Sequence, residues 1–194
     1  VSKKVRKQYE ENPYPRWTNL GLELKPKSVP EVATQLNLRL FDQEILKIEN
    51  PCILNAGCGT GQQPIATAAR FKNSRILAVD LSLSSLSYAK RKSEELMVRN
   101  IEYVQADILN LGNLNRKFDI VGCGGVLHHM DNPIVGWKKL VDCLNRGGLM
   151  EIGLYSELSR QHIVKIRKEI LRDGIGSSED EMRSVRDRLI NSPE

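Results

Sequence analysis

The sequence predicts an α/β protein in which a parallel β-sheet of about five strands carries helices on both faces. Short runs of β-branched residues alternate with longer segments of helical period, which is the pattern of β-α units. A glycine-rich turn follows the first of these runs, in "ILNAGCGTGQQP" at residues 53–64. The length of 194 residues and the hydrophobic content of 40% suit one compact domain with a sizeable core.

Each strand is predicted from a short apolar run bounded by turn residues. The first run follows Pro51, the second ends in an acid, and the last two flank the amphipathic pattern of residues 132–145. Because helical segments separate the runs, we expect the strands to pair in parallel. They lie near residues 52–56, 75–80, 101–105, 118–122 and 148–154.

Helices are predicted between the strands from apolar residues at helical spacing. One begins near Gln62, and a second covers about 83–98. A third covers 132–145, where Pro133 suits the first turn and Asp131 is expected to cap the helix. The glycines of "RGG" are expected to end this third helix before the last strand begins.

The segments on either side of the strands differ from the core. The first 50 residues show no strand pattern and contain the proline-rich "NPYPRW", which favours an extension that acts as a lid or substrate segment. After the last strand, helices are predicted near 157–172 and 179–190, the second with Ser178 and Glu181 spaced as a capping box. The predicted organisation is an N-terminal extension over 1–50, a ligand-binding core over 51–155 and a C-terminal helical segment over 156–194.

Composition excludes several classes of protein. No apolar run approaches the ~18 residues that would span a bilayer, so we expect a protein of the cytoplasm that has no membrane partner. The four cysteines form no C-x-x-C pair, which favours reduced thiols and predicts no metal site. The net charge is +5, and its basic runs are interpreted as solvated helix faces in preference to a nucleic-acid surface.

The glycine turn is interpreted as a site where backbone approaches a ligand without interference from a Cβ atom. The turn runs from Gly57 through Gly59 to Gly61 and leads into the helix that begins near Gln62. The lysine of a phosphate-binding P-loop is absent, and the third glycine of a dinucleotide fingerprint would fall on Gln62. Both phosphate-binding interpretations are therefore weakened.

Two acids end the second and third predicted strands. Asp80 lies 80 − 61 = 19 residues after the last glycine of the turn, where a carboxylate can accept hydrogen bonds from ribose hydroxyls. Asp107 precedes the apolar Ile108, a pair that suits an adenine ring. Taken singly, each acid could equally be a helix cap or a surface carboxylate. Together with the glycines they indicate a nucleoside ligand that has no pyrophosphate.

The combination of G-x-G-x-G, an acid ending the second strand and "AD" after the third resembles the class I S-adenosylmethionine-dependent methyltransferases. "FDIVGCGGVLHHMDNP" and "LNRGGLMEIGLYS" resemble the fourth- and fifth-strand segments of the type 11 and ubiquinone-biosynthesis-like branch. The resemblance covers about residues 50–155 and implies a Rossmann-like sheet in the order 3-2-1-4-5. It also implies that S-adenosyl-L-methionine is the cofactor.

The resemblance assigns a part of the cofactor to each motif. It implies that the three glycines of the turn pass the methionine moiety, that Asp80 holds the ribose, and that Asp107 with Ile108 holds the adenine. Gly124 and Gly125 would lie near the sulfonium. The cofactor-binding residues expected on this basis are Gly57, Cys58, Gly59, Gly61, Asp80, Leu81, Asp107, Ile108 and Gly124.

The N-terminal "YEENPYPRW" is similar to methyltransferase segments in larger bacterial proteins that carry tetratricopeptide repeats, although this chain shows no such repeat. Tyr14, Arg16 and Trp17 are expected to bound the substrate pocket. Anchoring of these side chains to a neighbouring domain would explain them as well.

The implied reaction is an in-line transfer of a methyl group to an acceptor, either a small molecule or a protein. A base is needed only for an acceptor that carries a proton, and His128 and His129 after the fourth strand are the candidates. A structural role for both histidines is the alternative. Cys123 is interpreted as a packed core thiol, and "CGGV" lacks the Asn/Asp-Pro-Pro-aromatic motif of adenine and amide methylases.

Two further interpretations stay open: a module that binds the cofactor without turnover, and a nicotinamide-dependent oxidoreductase. Only five parallel strands are counted, whereas the sheet of the family normally ends in an antiparallel pair beside the fifth. The chain is therefore expected to be a fragment of a longer protein. We expect the open edge of the fifth strand to be covered by the C-terminal helices, a second copy of the chain or a neighbouring domain.

Overall fold

The computed structural model describes residues 3–23, 25–176 and 178–191. The chain divides into two compact units, one that ends at Leu154 and one that begins at Tyr155.

The first unit is built on a parallel sheet of five strands in the order β3-β2-β1-β4-β5, which confirms the predicted fold class and strand order. Asn55 of β1 pairs with Ala78 of β2 on one side and with Gly122 of β4 on the other. All carboxyl ends therefore meet at one edge. The strands are β1 (Cys52–Ala56), β2 (Arg75–Asp80), β3 (Ile101–Gln105), β4 (Phe118–Gly124) and β5 (Leu144–Gly153).

Three helices of this unit begin at residues whose side chains satisfy free N–H groups of the first turn. Ser28 forms a capping box with Glu31, and the side chains of Ser82 and Asn132 accept backbone N–H bonds at the starts of later helices. The helices are α1 (Lys3–Glu11), α2 (Val29–Gln35), α3 (Gln62–Arg70), α4 (Leu83–Glu95) and α5 (Pro133–Asp142), with short 3₁₀ helices at Glu44–Lys47, Ile108–Leu114 and Leu127–His129.

Successive side chains of β1 face opposite sides of the sheet. Leu54 packs in the larger core cluster, which includes Leu140 of α5 and Leu111 of the 3₁₀ helix. Ile53 packs against Ala68 of α3 on the other face. Helices thus cover both faces of the sheet, which leaves its carboxyl edge as the place where polar side chains gather.

The boundary between α5 and β5 differs from the prediction. The helix ends at Asp142 and the strand already begins at Leu144, because Leu144 pairs with Phe118 before the register shifts at a bulge. The "RGG" glycines lie inside this bulge, where Gly147 adopts a φ of +76°. The expected cap was also wrong by one residue, since the side chain of Asn132 and not that of Asp131 caps α5.

The second unit contains a 3₁₀ helix at Leu158–Arg160 and the helices α6 (Gln161–Arg172) and α7 (Glu179–Asn191). The predicted capping box is present: the hydroxyl of Ser178 accepts the N–H of Glu181, whose carboxylate accepts the N–H of Ser178. Neither helix has a buried residue within the part of the chain that the structure describes.

Two absences hold for the described residues only. Strand β5 pairs with β4 alone there, so no antiparallel pair follows it within those ranges. No helix among the same residues is long and apolar enough to cross a membrane.

Candidate functional site

The glycine turn between β1 and α3 bends sharply because Gly57, Gly59 and Gly61 all have positive φ angles. A Cβ atom on Gly57 would lie 2.4 Å from a methyl of Val126, and one on Gly61 would lie 2.6 Å from the Cβ of Ala89. Two of the three glycines therefore make room for the protein itself. That the same turn also passes the methionine moiety of a cofactor stays a prediction.

Asp80 ties the end of β2 to the glycine turn. One carboxylate oxygen accepts the N–H of Gly59 at 2.8 Å, and the other accepts the N–H of Ser82 at 2.9 Å. Burial raises the pKa of Asp80, although these backbone hydrogen bonds act in the opposite direction. A carboxylate oxygen has two lone pairs, so each can accept a further hydrogen bond from a ribose hydroxyl.

The other predicted cofactor residues of β2 and β3 lie beside Asp80. The N–H of Ala106 donates to the carbonyl of Asp80 at 3.0 Å, which places Asp107 at the adjacent strand end. The Asp107 side chain accepts the N–H of Leu109 and so begins the following 3₁₀ helix. Ile108 is buried in the core. The carbonyl of Leu81 accepts the side-chain amide of Gln105 at 2.9 Å.

Two cysteines singled out in the sequence are both buried: Cys58, expected at the cofactor, and Cys123, expected as a core thiol. Burial raises the pKa of the Cys58 thiol in the turn, and it raises the pKa of Cys123 in β4 to about 12. Neither thiol is poised to ionise near neutral pH, so the structure agrees with the interpretation of Cys123 as a packed core residue.

The end of β4 carries the remaining predicted residues. Gly124 ends the strand, and the N–H of Gly125 donates to the carbonyl of Gly153 at 2.9 Å. The rings of His128 and His129 follow in a 3₁₀ helix with their centroids 4.3 Å apart. The ring of Tyr9 in α1 meets the His129 ring edge-on at 6.4 Å. No local pattern in the sequence links Tyr9 to His129, because the two residues are 120 positions apart in the chain.

A buried amide lies between the ends of β1 and β4. Asn55 is 2% exposed, and its Oδ1 atom has no hydrogen-bond partner among the described residues. A Cβ on Gly122 would lie 2.9 Å from the Asn55 amide nitrogen and 3.3 Å from that of Gln63 in α3. An unpaired buried oxygen is costly unless a ligand or water satisfies it. The signal in the sequence was a lone polar residue in the apolar run "CILNA".

Residues 9–17, called the strap, contact the glycine turn at Gly59 and Thr60. Trp17 is only 7% exposed, and its indole N–H donates to the carbonyl of Thr60 at 3.1 Å. The Trp17 side chain is therefore an anchor within the protein. It does not form an open wall of a pocket, although the sequence analysis expected it to bound the substrate pocket. Tyr14 is 69% exposed, and Arg16 is also exposed. The structure thus leaves these two side chains accessible to a substrate.

Within the described residues, no group of three or more histidine, cysteine or acidic side chains is arranged to hold a metal ion.

Comparison with known proteins agrees with this geometry. The family described as "Methyltransferase domain" matches residues 53–148. The chain is 32% identical over 125 residues to an uncharacterised protein of Synechococcus. The aligned region covers 64% of this chain and 30% of that protein. It is 29% identical over 133 residues to the ubiquinone biosynthesis O-methyltransferase of Coxiella burnetii. This aligned region covers 68% of this chain and 53% of that enzyme.

Among solved structures, PKMT2 from Rickettsia typhi is similar with a TM-score of 0.59 and 25% identity, over 73% of this chain and 27% of that one. The chain thus spans 30% of the Synechococcus protein and 53% of the Coxiella enzyme. The matched region contains the glycine turn, the acid that ends β2 and the end of β4. The chain belongs to the class I S-adenosylmethionine-dependent methyltransferase family.

Proposed function

We propose that this chain binds S-adenosylmethionine at the carboxyl edge of its sheet and transfers the methyl group to an acceptor. The observation that carries the proposal is the carboxylate of Asp80, which is fixed against the N–H of Gly59 at 2.8 Å. That contact puts an acceptor for ribose hydroxyls directly beside a turn that has no phosphate-binding lysine. Such a pair suits an adenosine without a pyrophosphate.

The residues present fit this cofactor at both of its ends. At the nucleoside end, Asp80 would hold the ribose, and Asp107 lies at the adjacent strand end for the adenine amino group. At the amino-acid end, the unpaired Oδ1 of Asn55 can accept from an ammonium group, and Gln63 offers a second amide. When bound, the cofactor supplies a methyl group that is activated by a sulfonium.

The chain's own part in the reaction is alignment, exclusion of water and, for an acceptor that carries a proton, proton removal. His128 and His129 lie in the 3₁₀ helix that follows β4, a few residues after Gly124 and Gly125. An imidazole at this place can act as a general base that takes the proton of the acceptor. Tyr9 and its ring contact with His129 would help to hold that imidazole in place.

The acceptor is proposed to be a small molecule or a protein side chain, and the reaction is proposed to take place in the cytoplasm. The names of relatives support a range of acceptors: one is a ubiquinone biosynthesis O-methyltransferase and another is a coclaurine N-methyltransferase. We propose further that a second copy or a neighbouring domain covers the outer edge of β5, which light scattering of the purified chain would test by its mass.

Thermal unfolding in the presence of candidate ligands tests the cofactor directly. S-adenosylhomocysteine should raise the stability by about 2.7 kcal/mol at a hundredfold excess over its Kd, whereas NAD and ATP should not. Stabilisation by NAD alone would favour an oxidoreductase and contradict the proposal. Transfer of a labelled methyl group from S-adenosylmethionine to small-molecule and protein fractions then separates an enzyme from a module that only binds.

A further inference from the structure

The strap is joined to the glycine turn by two hydrogen bonds that meet at one residue. The hydroxyl of Thr60 donates to the carbonyl of Pro15 at 2.6 Å, and the carbonyl of Thr60 accepts the indole N–H of Trp17 at 3.1 Å. Thr60 is wholly buried and lies between two glycines of the turn. The third close approach is at Gly59, where a Cβ would lie 3.1 Å from the carbonyl oxygen of Tyr14.

The indole of Trp17 is in turn fixed by helix α4. The hydroxyl of Tyr88 donates to the carbonyl of Trp17, and the two rings meet edge-on with centroids 6.1 Å apart. The ammonium of Lys92 lies 5.7 Å from the Trp17 ring. Trp17 is therefore held in place independently of the glycine turn, so it can act on the turn as a fixed support.

The other end of the strap is anchored beside Asp80. The Ser82 hydroxyl donates to the carbonyl of Tyr9 at 3.0 Å, and the N–H of Ser84 donates to the carboxylate of Glu10 at 3.2 Å. Hydrogen bonding to Ser82 lowers the pKa of Glu10, as expected for a carboxylate at the start of a helix. The strap thus spans from the residues after β2 to the turn after β1.

The turn itself has little preference for its own shape. Glycine populates positive and negative φ angles about equally, so Gly57, Gly59 and Gly61 do not fix the path of the backbone by themselves. Asp80 holds the turn through the N–H of Gly59, and the strap holds it at Thr60. These two contacts add to the backbone hydrogen bonds by which the N–H groups of Gly57 and Cys58 hold the start of the turn to the carbonyl of Val79.

We propose that Trp17 and Thr60 are positioning residues for the cofactor: through the strap they hold the glycine turn in its binding geometry, so that a bound cofactor is released more slowly. This inference rests on the proposed function. It assigns to Trp17 a role that acts through Thr60 and involves no contact with the acceptor.

The test uses conservative variants of the whole chain that each remove one of these hydrogen bonds. Trp17→Phe removes the indole N–H, and Thr60→Val removes the hydroxyl, while Thr60→Ser restores it. Ser93→Ala is the matched control, because its hydroxyl bonds to the carbonyl of Ala89 within α4 and to the hydroxyl of Tyr103 in β3, and neither partner belongs to the strap. Release of S-adenosylhomocysteine is followed by surface plasmon resonance, and opening of the strap is followed by hydrogen exchange of residues 9–17 without ligand.

Each lost bond should accelerate release of S-adenosylhomocysteine by about 2- to 10-fold, the range expected for one neutral hydrogen bond. Exchange in residues 9–17 should accelerate as well, and Thr60→Ser and Ser93→Ala should resemble the wild type in both measurements. If Trp17→Phe and Thr60→Val open the strap yet release the ligand at the wild-type rate, the positioning role is overturned.

A purely structural role would show itself differently. It would lower thermal stability equally in Ser93→Ala and Thr60→Val and would change the release rates of both alike, which would also overturn the inference. A wild-type chain that does not bind S-adenosylhomocysteine would instead defeat the proposed function, and this inference with it. The two failures are distinguished by the wild-type binding curve alone.

Discussion

Replacing Gly61 with alanine is expected to lower the free energy of unfolding by about 2–4 kcal/mol, for reasons that do not involve a ligand. Gly61 has a φ of +88°, and an alanine in this left-handed conformation costs about 1–2 kcal/mol. Its new Cβ would lie 2.6 Å from the Cβ and 2.9 Å from the Cα of Ala89. Since the Ala89 backbone belongs to α4 and cannot yield freely, overpacking adds about 1–3 kcal/mol. Reduced entropy of the unfolded chain offsets about 0.4–1 kcal/mol.

Two other glycines separate these contributions. Gly125 has a φ of +73° but open space around its Cβ position, so Gly125→Ala should show the conformational cost alone, about 1 kcal/mol. Gly112 has open space and no positive φ, so Gly112→Ala should be neutral or stabilising by up to about 1 kcal/mol.

Urea unfolding followed by circular dichroism measures all three variants, and a double-mutant cycle tests the contact itself. Ala89→Gly by itself should cost about 1 kcal/mol, because glycine is disfavoured within a helix. Combined with Gly61→Ala it should remove the closer contact, at 2.6 Å, and leave the one with the Cα at 2.9 Å, so the double variant should be more stable than the sum of the single changes predicts. An equal cost for Gly61→Ala and Gly125→Ala, or strict additivity in the cycle, would refute the packing explanation.

Three further predictions concern the site. Because burial raises the pKa of Asp80, ionising this carboxyl in the folded protein lowers the free energy of unfolding. This loss is absent below the pKa that Asp80 has in the unfolded state and complete above the pKa that it has in the folded state. Binding of S-adenosylhomocysteine, which needs the carboxylate, should therefore weaken in calorimetry as pH falls through the raised pKa, and Asp80→Ala should weaken it by about 1.5–3 kcal/mol at neutral pH. Binding with wild-type affinity by Asp80→Ala would place the ribose elsewhere. Asn55→Leu should stabilise the ligand-free chain or leave it unchanged, because it removes an unpaired buried oxygen, yet weaken ligand binding; a loss of stability without loss of affinity would show that the amide serves packing alone. With a thiol reagent at pH 8, half-buried Cys52 should react first, and Cys123, with its pKa of about 12, should react only on unfolding; early modification of Cys123 in an otherwise native protein would contradict its burial.

The sequence alone was sufficient for the architecture, because local patterns and chain order constrain it strongly. Short apolar runs alternating with helical periods indicate parallel β-α units, and all five strands lie where they were predicted apart from the start of β5. The capping box of Ser178 and Glu181 was equally readable, because its spacing is local. The relation of Asp80 to the glycine turn followed from the rule that carboxyl ends of parallel strands share one edge.

Only the tertiary structure decided what each glycine is for, because the atoms that would meet a Cβ come from distant parts of the chain. Val126 faces Gly57 and Ala89 faces Gly61, and no spacing rule links these pairs. Long-range contacts likewise bury Trp17 as an anchor on Thr60, where the sequence analysis expected a pocket wall. They also pair Leu144 with Phe118, so that β5 begins earlier than predicted. Patterns in a sequence report how a residue relates to its neighbours in the chain, whereas burial and close approach depend on which other segments the fold brings against it.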